Sequence, residues 1–266
     1  MSNKVLHAPI ETSATGLRLL DIGCGTGIVT DLMSSTFPHA ECIGLDVSKV
    51  PKIRAHNSNV KFFQGNVMGQ KPTEWIGEEK KRLEKDEELF DYLFSRLLIL
   101  GMSDWPSFLK KEYELLKPGG WVEVQDLAWD WFSPDGVAIS DEWEWLRWLS
   151  DHFETKKGID VHCGNKAEKW MKDAGFEDVQ VIKYVFPFCG SSESTLEMRE
   201  FGRFNAEAVP VMLHHAIEKA VIDGESPVTE ELHRKIEEMR SEMKRTLVPG
   251  KGMYQIFSVA IGRKPE

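Results

Sequence analysis

The sequence of 266 residues is poor in cysteine and in long apolar runs, and each shortage excludes a class of protein. Its four cysteines, Cys24, Cys42, Cys163 and Cys189, show neither a C-x-x-C pattern nor histidines at metal-ligand spacing. Reduced thiols are therefore expected, without disulfides or a zinc site, and no metal is predicted. Nowhere do 18 consecutive apolar residues occur, and no charged stretch followed by an apolar one opens the chain. We predict neither a membrane span nor a secretion signal.

Basic residues are outnumbered by acidic ones, 33 Lys and Arg against 43 Asp and Glu, which gives a formal net charge of −10. Tight binding to nucleic acid is not expected, because neutralising phosphates requires a concentrated basic surface. The length suits one large domain with insertions, and neither an internal repeat nor a low-complexity linker divides it. We predict a single domain over residues 1–266 in a cytoplasmic protein.

The chain is organised around a glycine-rich stretch near its start, where an apolar run ends in Asp21 and turns through Gly23, Gly25 and Gly27 into a helical pattern. Glycine allows positive φ and lets backbone N–H groups approach a ligand. The spacing G-x-G-x-G differs from the G-x-G-x-x-G of dinucleotide-binding folds. Asp21 would repel a phosphate but attract an ammonium group. S-adenosylmethionine (SAM), with an adenosine end and a cationic amino-acid end, fits this pattern.

Further motifs follow: G-L-D-V-S at 44–48, F-D-Y at 90–92 and L-K-P-G-G-W-V-E at 116–123. With D-I-G-C-G-T-G at 21–27, the chain resembles the class I SAM-dependent methyltransferases. L-H-A-P-I at 6–10 and I-G-R-K-P at 261–265 make it similar to the LaeA-like methyltransferases of filamentous fungi. The resemblance implies an α/β fold with a doubly wound, seven-stranded Rossmann-like sheet, and SAM as cofactor with S-adenosylhomocysteine as product. It also implies an N-terminal cap longer than residues 1–16. Either another subunit or the insertions would then cover the pocket, or the site would be open.

The predicted cofactor contacts follow the first four strands. Asp46 ends strand 2, where a carboxylate accepts both ribose hydroxyls, although an acid there is also a common helix cap. Asn66 stands where the family usually has an acidic residue that binds the adenine amino group, so weaker binding is expected. Arg96 follows strand 4 and would hold the SAM carboxylate or an acidic substrate, or have a structural role. The full predicted set is Asp21, Gly23, Cys24, Gly25, Gly27, Asp46, Val47, Asn66, Val67, Ser95 and Arg96.

Six of the nine tryptophans lie within residues 121–148. Tryptophans at helical spacing are more often core than ligand contacts. Their crowding after strand 5 nevertheless favours a flat, aromatic or cationic acceptor. The predicted substrate contacts are Trp129, Trp131, Trp145 and Trp148.

No spacing singles out a general base. The candidates are His152 and His162, which follow the tryptophan-rich helix, with His214 and His215 behind them and Asp126 as a carboxylate alternative. For each histidine a surface or core position is the commoner outcome.

Two insertions, residues 127–160 and 190–250, are expected to form a helical cap. A helix beginning near Thr195 should be interrupted at Pro210. A later apolar stripe faces the core or a partner; it consists of Leu232, Ile236, Met239, Met243 and Leu247.

Three functions fit the sequence. The first is SAM-dependent methyl transfer to a small molecule, in fungal secondary metabolism by resemblance. The second is a LaeA-like regulatory role through protein partners or a homodimer formed by the cap helices, with a nuclear location. The third is SAM binding with another reaction or with none, suggested by Asn66 and the short N-terminus.

Overall fold

The structure is a computed structural model that describes residues 5–78, 81–84, 88–189, 195–224 and 229–266. These residues contain eight strands and six α-helices. In chain order they are β1 (Arg18–Ile22), α1 (Ile28–Thr36), β2 (Glu41–Asp46), β3 (Val60–Gln64), β4 (Ile76–Gly77), β5 (Phe90–Arg96), α2 (Trp105–Leu115), β6 (Leu116–Leu127), α3 (Glu144–Lys157), α4 (Cys163–Ala174), β7 (Glu177–Pro187), α5 (Leu196–Ile222), α6 (Glu230–Thr246) and β8 (Tyr254–Arg263).

All eight strands join one sheet in the order β4-β3-β2-β1-β5-β6-β8-β7. The five strands from β3 to β6 in this order are parallel, and β8 lies antiparallel between β6 and β7. The predicted doubly wound Rossmann-like sheet is confirmed. It has eight strands and not seven, because the two-residue β4 pairs with the edge of β3. A strand of two residues has no periodicity that a sequence pattern could reveal.

The two faces of the sheet carry separate apolar clusters. One cluster includes Leu20 of β1 and Phe108 of α2, and the other includes Leu19 of β1 and Met33 of α1. Neighbouring residues of one strand point to opposite faces, so a central parallel strand is apolar along its whole length. The parallel strands all end at one edge, which is where β1 meets the glycine loop.

The helices α3, α5 and α6 pack against one another and enlarge the first cluster. The predicted interruption at Pro210 is wrong, since α5 continues through it. Proline in a helix costs about 3 kcal/mol, and packing of buried residues such as Leu213 and Ile217 offsets this cost. The α6 stripe faces the core, with Ile236 and Met243 buried. Residues 190–194 and 225–228 of the predicted cap lie outside the described residues.

Two of the sequence motifs lie at element boundaries. Helix α1 begins at Ile28, directly after Gly27, which takes a left-handed φ of 77°. The K-P-G-G stretch at 117–120 is part of β6. There the Gly119 N–H donates to the Lys264 carbonyl, and the Lys264 N–H donates to the Gly120 carbonyl. In the described part of the chain, no helix is both long and apolar enough to span a membrane.

Candidate functional site

The three glycines of the loop after β1 have positive φ, 70° at Gly23, 57° at Gly25 and 77° at Gly27. A Cβ on Gly23 would lie 2.4 Å from a Leu98 methyl carbon, and one on Gly27 would lie 2.5 Å from the Phe62 ring. A Cβ on Gly25 would meet nothing within 4 Å. The outer glycines therefore serve close packing, while the middle one faces open space where a ligand can approach the backbone.

Asp46, at the end of β2, holds the loop in place. Its two carboxylate oxygens accept hydrogen bonds from the Gly25 N–H at 2.9 Å and the Ser48 N–H at 2.8 Å. A helix cap is excluded, because residues 47–59 form no helix. Each carboxylate oxygen has two lone pairs. One acceptor site on each oxygen remains for a pair of adjacent hydroxyl groups.

Asp21 is a buried carboxyl group directly before the loop, with 2% of its surface exposed. The Thr30 hydroxyl donates to it at 2.7 Å. Burial raises the pKa of Asp21 to about 7, against the opposing effects of Thr30 and the positive charge of Arg96. Partial desolvation lowers the pKa of Arg96, although its side chain is still reached by solvent. A cationic ligand beside Asp21 would favour its ionised form.

On the far side of the loop, Asn66 and Val67 follow β3. The Asn66 side-chain carbonyl accepts the Met68 N–H at 2.9 Å, which leaves one lone pair for a ligand donor. Val67 is 6% exposed, and Val47 after β2 is 67% exposed. Cys24 is buried within the loop itself. Asn66 and Val67 thus follow the end of β3, whose last residue, Gln64, pairs with Asp46 of β2.

Ser95 and Arg96 end β5 and point to opposite faces of the sheet, as successive strand residues must. Ser95 is fully buried, and its hydroxyl has no hydrogen-bond partner among the described residues. Arg96 shares its face with Asp21 and lines a cavity. Of the two predicted cofactor contacts Ser95 and Arg96, only Arg96 therefore lies where a ligand could reach it.

This cavity, which we call the aromatic cavity, has a volume of about 670 Å³. It lies beyond the ends of β5 and β6, against β7, β8, the first turns of α5 and the segment before β1. Its wall is mainly apolar and aromatic. The lining residues are Val5, His7, Arg96, Leu97, Gln125, Tyr184, Phe186, Thr195, Glu197, Met198, Phe201, Phe204, Asn205, Phe257 and Val259.

The predicted base Asp126 does not line the aromatic cavity. It is 2% exposed and accepts the N–H groups of Leu98 at 2.7 Å and Leu127 at 2.8 Å. Burial raises the pKa of Asp126 to about 7 despite these hydrogen bonds. The carboxyl group thereby anchors the chain after β5, where Leu97 has a φ of 54°. Its contacts indicate a structural role.

The two predicted histidines also lie outside the aromatic cavity. His162 pairs with Asp130 at 3.1 Å in a separate cleft of about 350 Å³, and this hydrogen bond raises the pKa of His162. His152 stacks on Trp148 and lies 3.4 Å from Asp223. Neither histidine is brought near the glycine loop by these contacts.

The four tryptophans predicted to contact substrate have packing roles in the structure. Trp129, Trp131 and Trp145 are at most 5% exposed and belong to the larger apolar cluster. The Trp145 indole N–H donates to a threonine hydroxyl of α6 at 2.9 Å. Trp148 lies under the ammonium group of Lys235. None of the four lines the aromatic cavity.

Two polar residues that line this cavity, His7 and Tyr184, and a third buried behind them, Glu123, were not predicted from the sequence. His7 lies 2.8 Å from the Tyr184 hydroxyl and 3.1 Å from the Glu123 carboxylate. The L-H-A-P-I motif drew attention to His7 only as part of a resemblance. Glu123 stands in the apolar run of β6, and an acid in such a run was the available signal that it is buried and paired.

The strand order, with one antiparallel strand inserted beside β6, defines a Rossmann-like α/β fold with a ligand site at the strand ends. Phosphoethanolamine N-methyltransferase 2 of Haemonchus contortus, solved with phosphomonomethylethanolamine and S-adenosylhomocysteine, has this fold. It matches with a TM-score of 0.51 and 18% identity, over 97% of this chain and 50% of that one.

The model of a family described as methyltransferase domain matches residues 3–181, and the chain belongs to this family. Among curated relatives, methyltransferase pytC of Aspergillus terreus is 28% identical over 205 residues, 76% of this chain and 58% of that protein. The secondary metabolism regulator laeA of Coprinopsis cinerea is 27% identical over 190 residues, 68% of this chain and 44% of that protein. The chain thus spans about half the length of these relatives.

Proposed function

We propose that the protein binds SAM at the glycine loop and transfers its methyl group to a small molecule in the aromatic cavity. The observation that carries this proposal is the buried Asp21 in front of a loop whose middle glycine faces open space. A carboxyl group buried at such a cost is suited to an ammonium ligand. Membership of the methyltransferase family supports the same cofactor.

The residues fit each part of SAM. Asp21 would hold the ammonium group and Arg96 the carboxylate of the methionine tail, while Asp46 would accept the ribose hydroxyls. Val47, Asn66 and Val67 would surround the adenine. When bound, SAM supplies an electrophilic methyl group on a sulfonium, and the protein has to align the acceptor and exclude water.

The acceptor is proposed to bind in the aromatic cavity, because Arg96 lines this cavity and its positive charge also acts on Asp21 before the glycine loop. Phe186 lies 4.7 Å from the Phe201 ring and 5.8 Å from the Phe257 ring, measured between ring centroids. Aromatic walls of this kind bind flat apolar groups at low entropic cost. The similarity to methyltransferase pytC of Aspergillus terreus supports methyl transfer as the reaction.

Titration calorimetry with SAM, S-adenosylhomocysteine and NAD tests the cofactor assignment. We expect heat with the first two ligands and none with NAD. Incubation with methyl-labelled SAM and a metabolite extract from a producing fungus then tests methyl transfer. Binding of NAD in place of SAM, or absence of heat with all three, would overturn the proposal.

Regulation through a protein partner is a second candidate, favoured by the similarity to laeA. The sequence suggested a partner because of the apolar stripe on α6. In the structure this stripe packs into the core, and Ile236 is 3% exposed. Size-exclusion chromatography with light scattering distinguishes the two functions when combined with the methylation assay. A monomer that methylates a small molecule needs no partner.

A further inference from the structure

Tyr184, His7 and Glu123 form a hydrogen-bonded chain that leads from the aromatic cavity into the sheet. The Tyr184 hydroxyl lies 2.8 Å from His7 Nε2, and His7 Nδ1 lies 3.1 Å from Glu123 Oε1. Tyr184 and His7 line the cavity, while Glu123 is fully buried behind them. The three residues come from β7, the segment before β1, and β6.

The donors around Glu123 fix the direction of these hydrogen bonds. Its carboxylate also accepts the backbone N–H groups of His7 and Ala8 and the Gln125 amide. Burial alone would raise the pKa of Glu123, but these hydrogen bonds lower it below its usual value. The ionised carboxylate can only accept, so His7 Nδ1 is the donor of this pair. In the tautomer that carries its proton on Nδ1 alone, Nε2 accepts from the Tyr184 hydroxyl, whose oxygen can then accept from a donor in the cavity.

We propose that Tyr184 and His7, oriented by Glu123, remove the proton from a hydroxyl group on an aromatic acceptor, so that the cavity is a site of phenol O-methylation. This inference rests on the proposed function. The acceptor proton passes to the Tyr184 oxygen as the Tyr184 proton passes to His7 Nε2. A bond forms between the acceptor oxygen and the methyl carbon, the carbon–sulfur bond breaks, and sulfur keeps its electron pair. The imidazolium, stabilised by Glu123, later releases its proton to water.

The Tyr184–His7 pair itself favours a hydroxyl acceptor, because an O–H has to lose its proton as the methyl group arrives. Arg96 on β5 and Glu197 in the first turn of α5 also line the cavity, and both side chains are reached by solvent. Solvent and salt therefore screen both charges, which do not select between acceptors.

The test uses 4-nitrophenol, whose absorbance changes when it ionises. It is titrated at pH 6 into protein saturated with S-adenosylhomocysteine, whose binding is first established by calorimetry. We expect bound 4-nitrophenol to adopt the phenolate spectrum. Tyr184→Phe keeps the aromatic ring but interrupts the proton path, and should lower the phenolate fraction at least tenfold; His7→Gln should do the same.

Tyr92→Phe is the matched control. The Tyr92 hydroxyl donates to Glu123 at 2.8 Å, but Tyr92 is fully buried and does not line the cavity. This variant should retain the phenolate spectrum, and urea denaturation establishes that each variant folds. A phenolate spectrum that survives in Tyr184→Phe and His7→Gln overturns the inference, as does S-adenosylhomocysteine binding without 4-nitrophenol binding. Failure of S-adenosylhomocysteine to bind would instead refute the proposed function.

Discussion

Replacing Asp21 with asparagine tests the electrostatic feature on which cofactor binding is argued to depend. Burial raises the pKa of Asp21 from 3.8 to about 7. A carboxyl group with a raised pKa binds its proton more tightly in the folded than in the unfolded protein. Its contribution to the free energy of unfolding therefore falls as the pH rises from about 4 to about 7. At about 1.4 kcal/mol per pKa unit, the full loss is about 4 kcal/mol.

Asparagine is neutral at every pH, and its carbonyl oxygen can still accept the Thr30 hydroxyl. We expect the free energy of unfolding of Asp21→Asn, relative to wild type, to increase by about 2–3 kcal/mol between pH 5 and pH 8. Urea denaturation of both ligand-free proteins at several pH values measures this difference. Asp126, which also has a raised pKa, is present in both proteins and cancels. A difference that does not change with pH would refute the reasoning.

SAM affinity gives the functional half of the same experiment. With a pKa of about 7, the ionised fraction of Asp21 rises about tenfold between pH 6 and pH 8. The wild-type dissociation constant for SAM should fall by a similar factor, and Asp21→Asn should bind weakly with no such dependence. Adenosine, which lacks the methionine tail, is the control ligand. Equal pH dependence for adenosine and SAM would show that Asp21 does not hold the ammonium group.

Five further substitutions separate ligand contacts from packing. Gly25→Ala should cost about 1–2 kcal/mol of stability through its positive φ but weaken SAM binding more than tenfold in calorimetry. Gly23→Ala should instead lower the urea midpoint, because the added Cβ would lie 2.4 Å from Leu98. A binding loss in Gly23→Ala without one in Gly25→Ala would contradict the proposed site. Asp46→Ala should weaken SAM binding by about 1–3 kcal/mol, because hydroxyl donors lose their acceptor, and unchanged affinity would mean that the ribose is held elsewhere. Trp145→Ala should destabilise the fold by about 3–5 kcal/mol without changing the SAM dissociation constant of the folded protein. Weaker SAM binding would indicate that Trp145 contributes to the ligand site. His162→Ala should leave the methylation rate at pH 7 within about twofold, as expected for a surface ion pair, and a large loss in the labelled-methyl assay would restore its predicted catalytic role.

The fold was largely predictable because buried parallel strands form apolar runs that end at polar or glycine residues. β1, β2 and β5 follow this rule, since β1 ends directly before Gly23, β2 ends at Asp46 and β5 ends at Arg96. The rule failed where tertiary packing prevails over local preference. Helix α5 continues through Pro210 because its buried side chains hold both halves in place, and β4 exists only through its pairing with β3.

The glycine loop and the aromatic cavity differ in whether their functional residues lie close together in the sequence. The glycine loop could be interpreted because Asp21 and its three glycines lie within seven residues. His7 and Tyr184 are 177 positions apart and meet only when the segment before β1 crosses β6 toward β7. The tryptophans predicted to contact substrate pack in or against the larger apolar cluster; helical spacing indicates that a face is apolar but not what covers it.

Two buried carboxyl groups on one face of the sheet show why sequence alone could not separate structural from ligand-binding acids. Asp21 of β1 and Glu123 of β6 both pair with Phe94 of β5, and both are at most 2% exposed. Glu123 accepts from backbone and side-chain donors that keep its pKa low. In the described part of the chain Asp21 is hydrogen-bonded through Thr30, and burial raises its pKa. Donors within the chain therefore account for the buried charge of Glu123, whereas for Asp21 we propose a cation supplied from outside the chain.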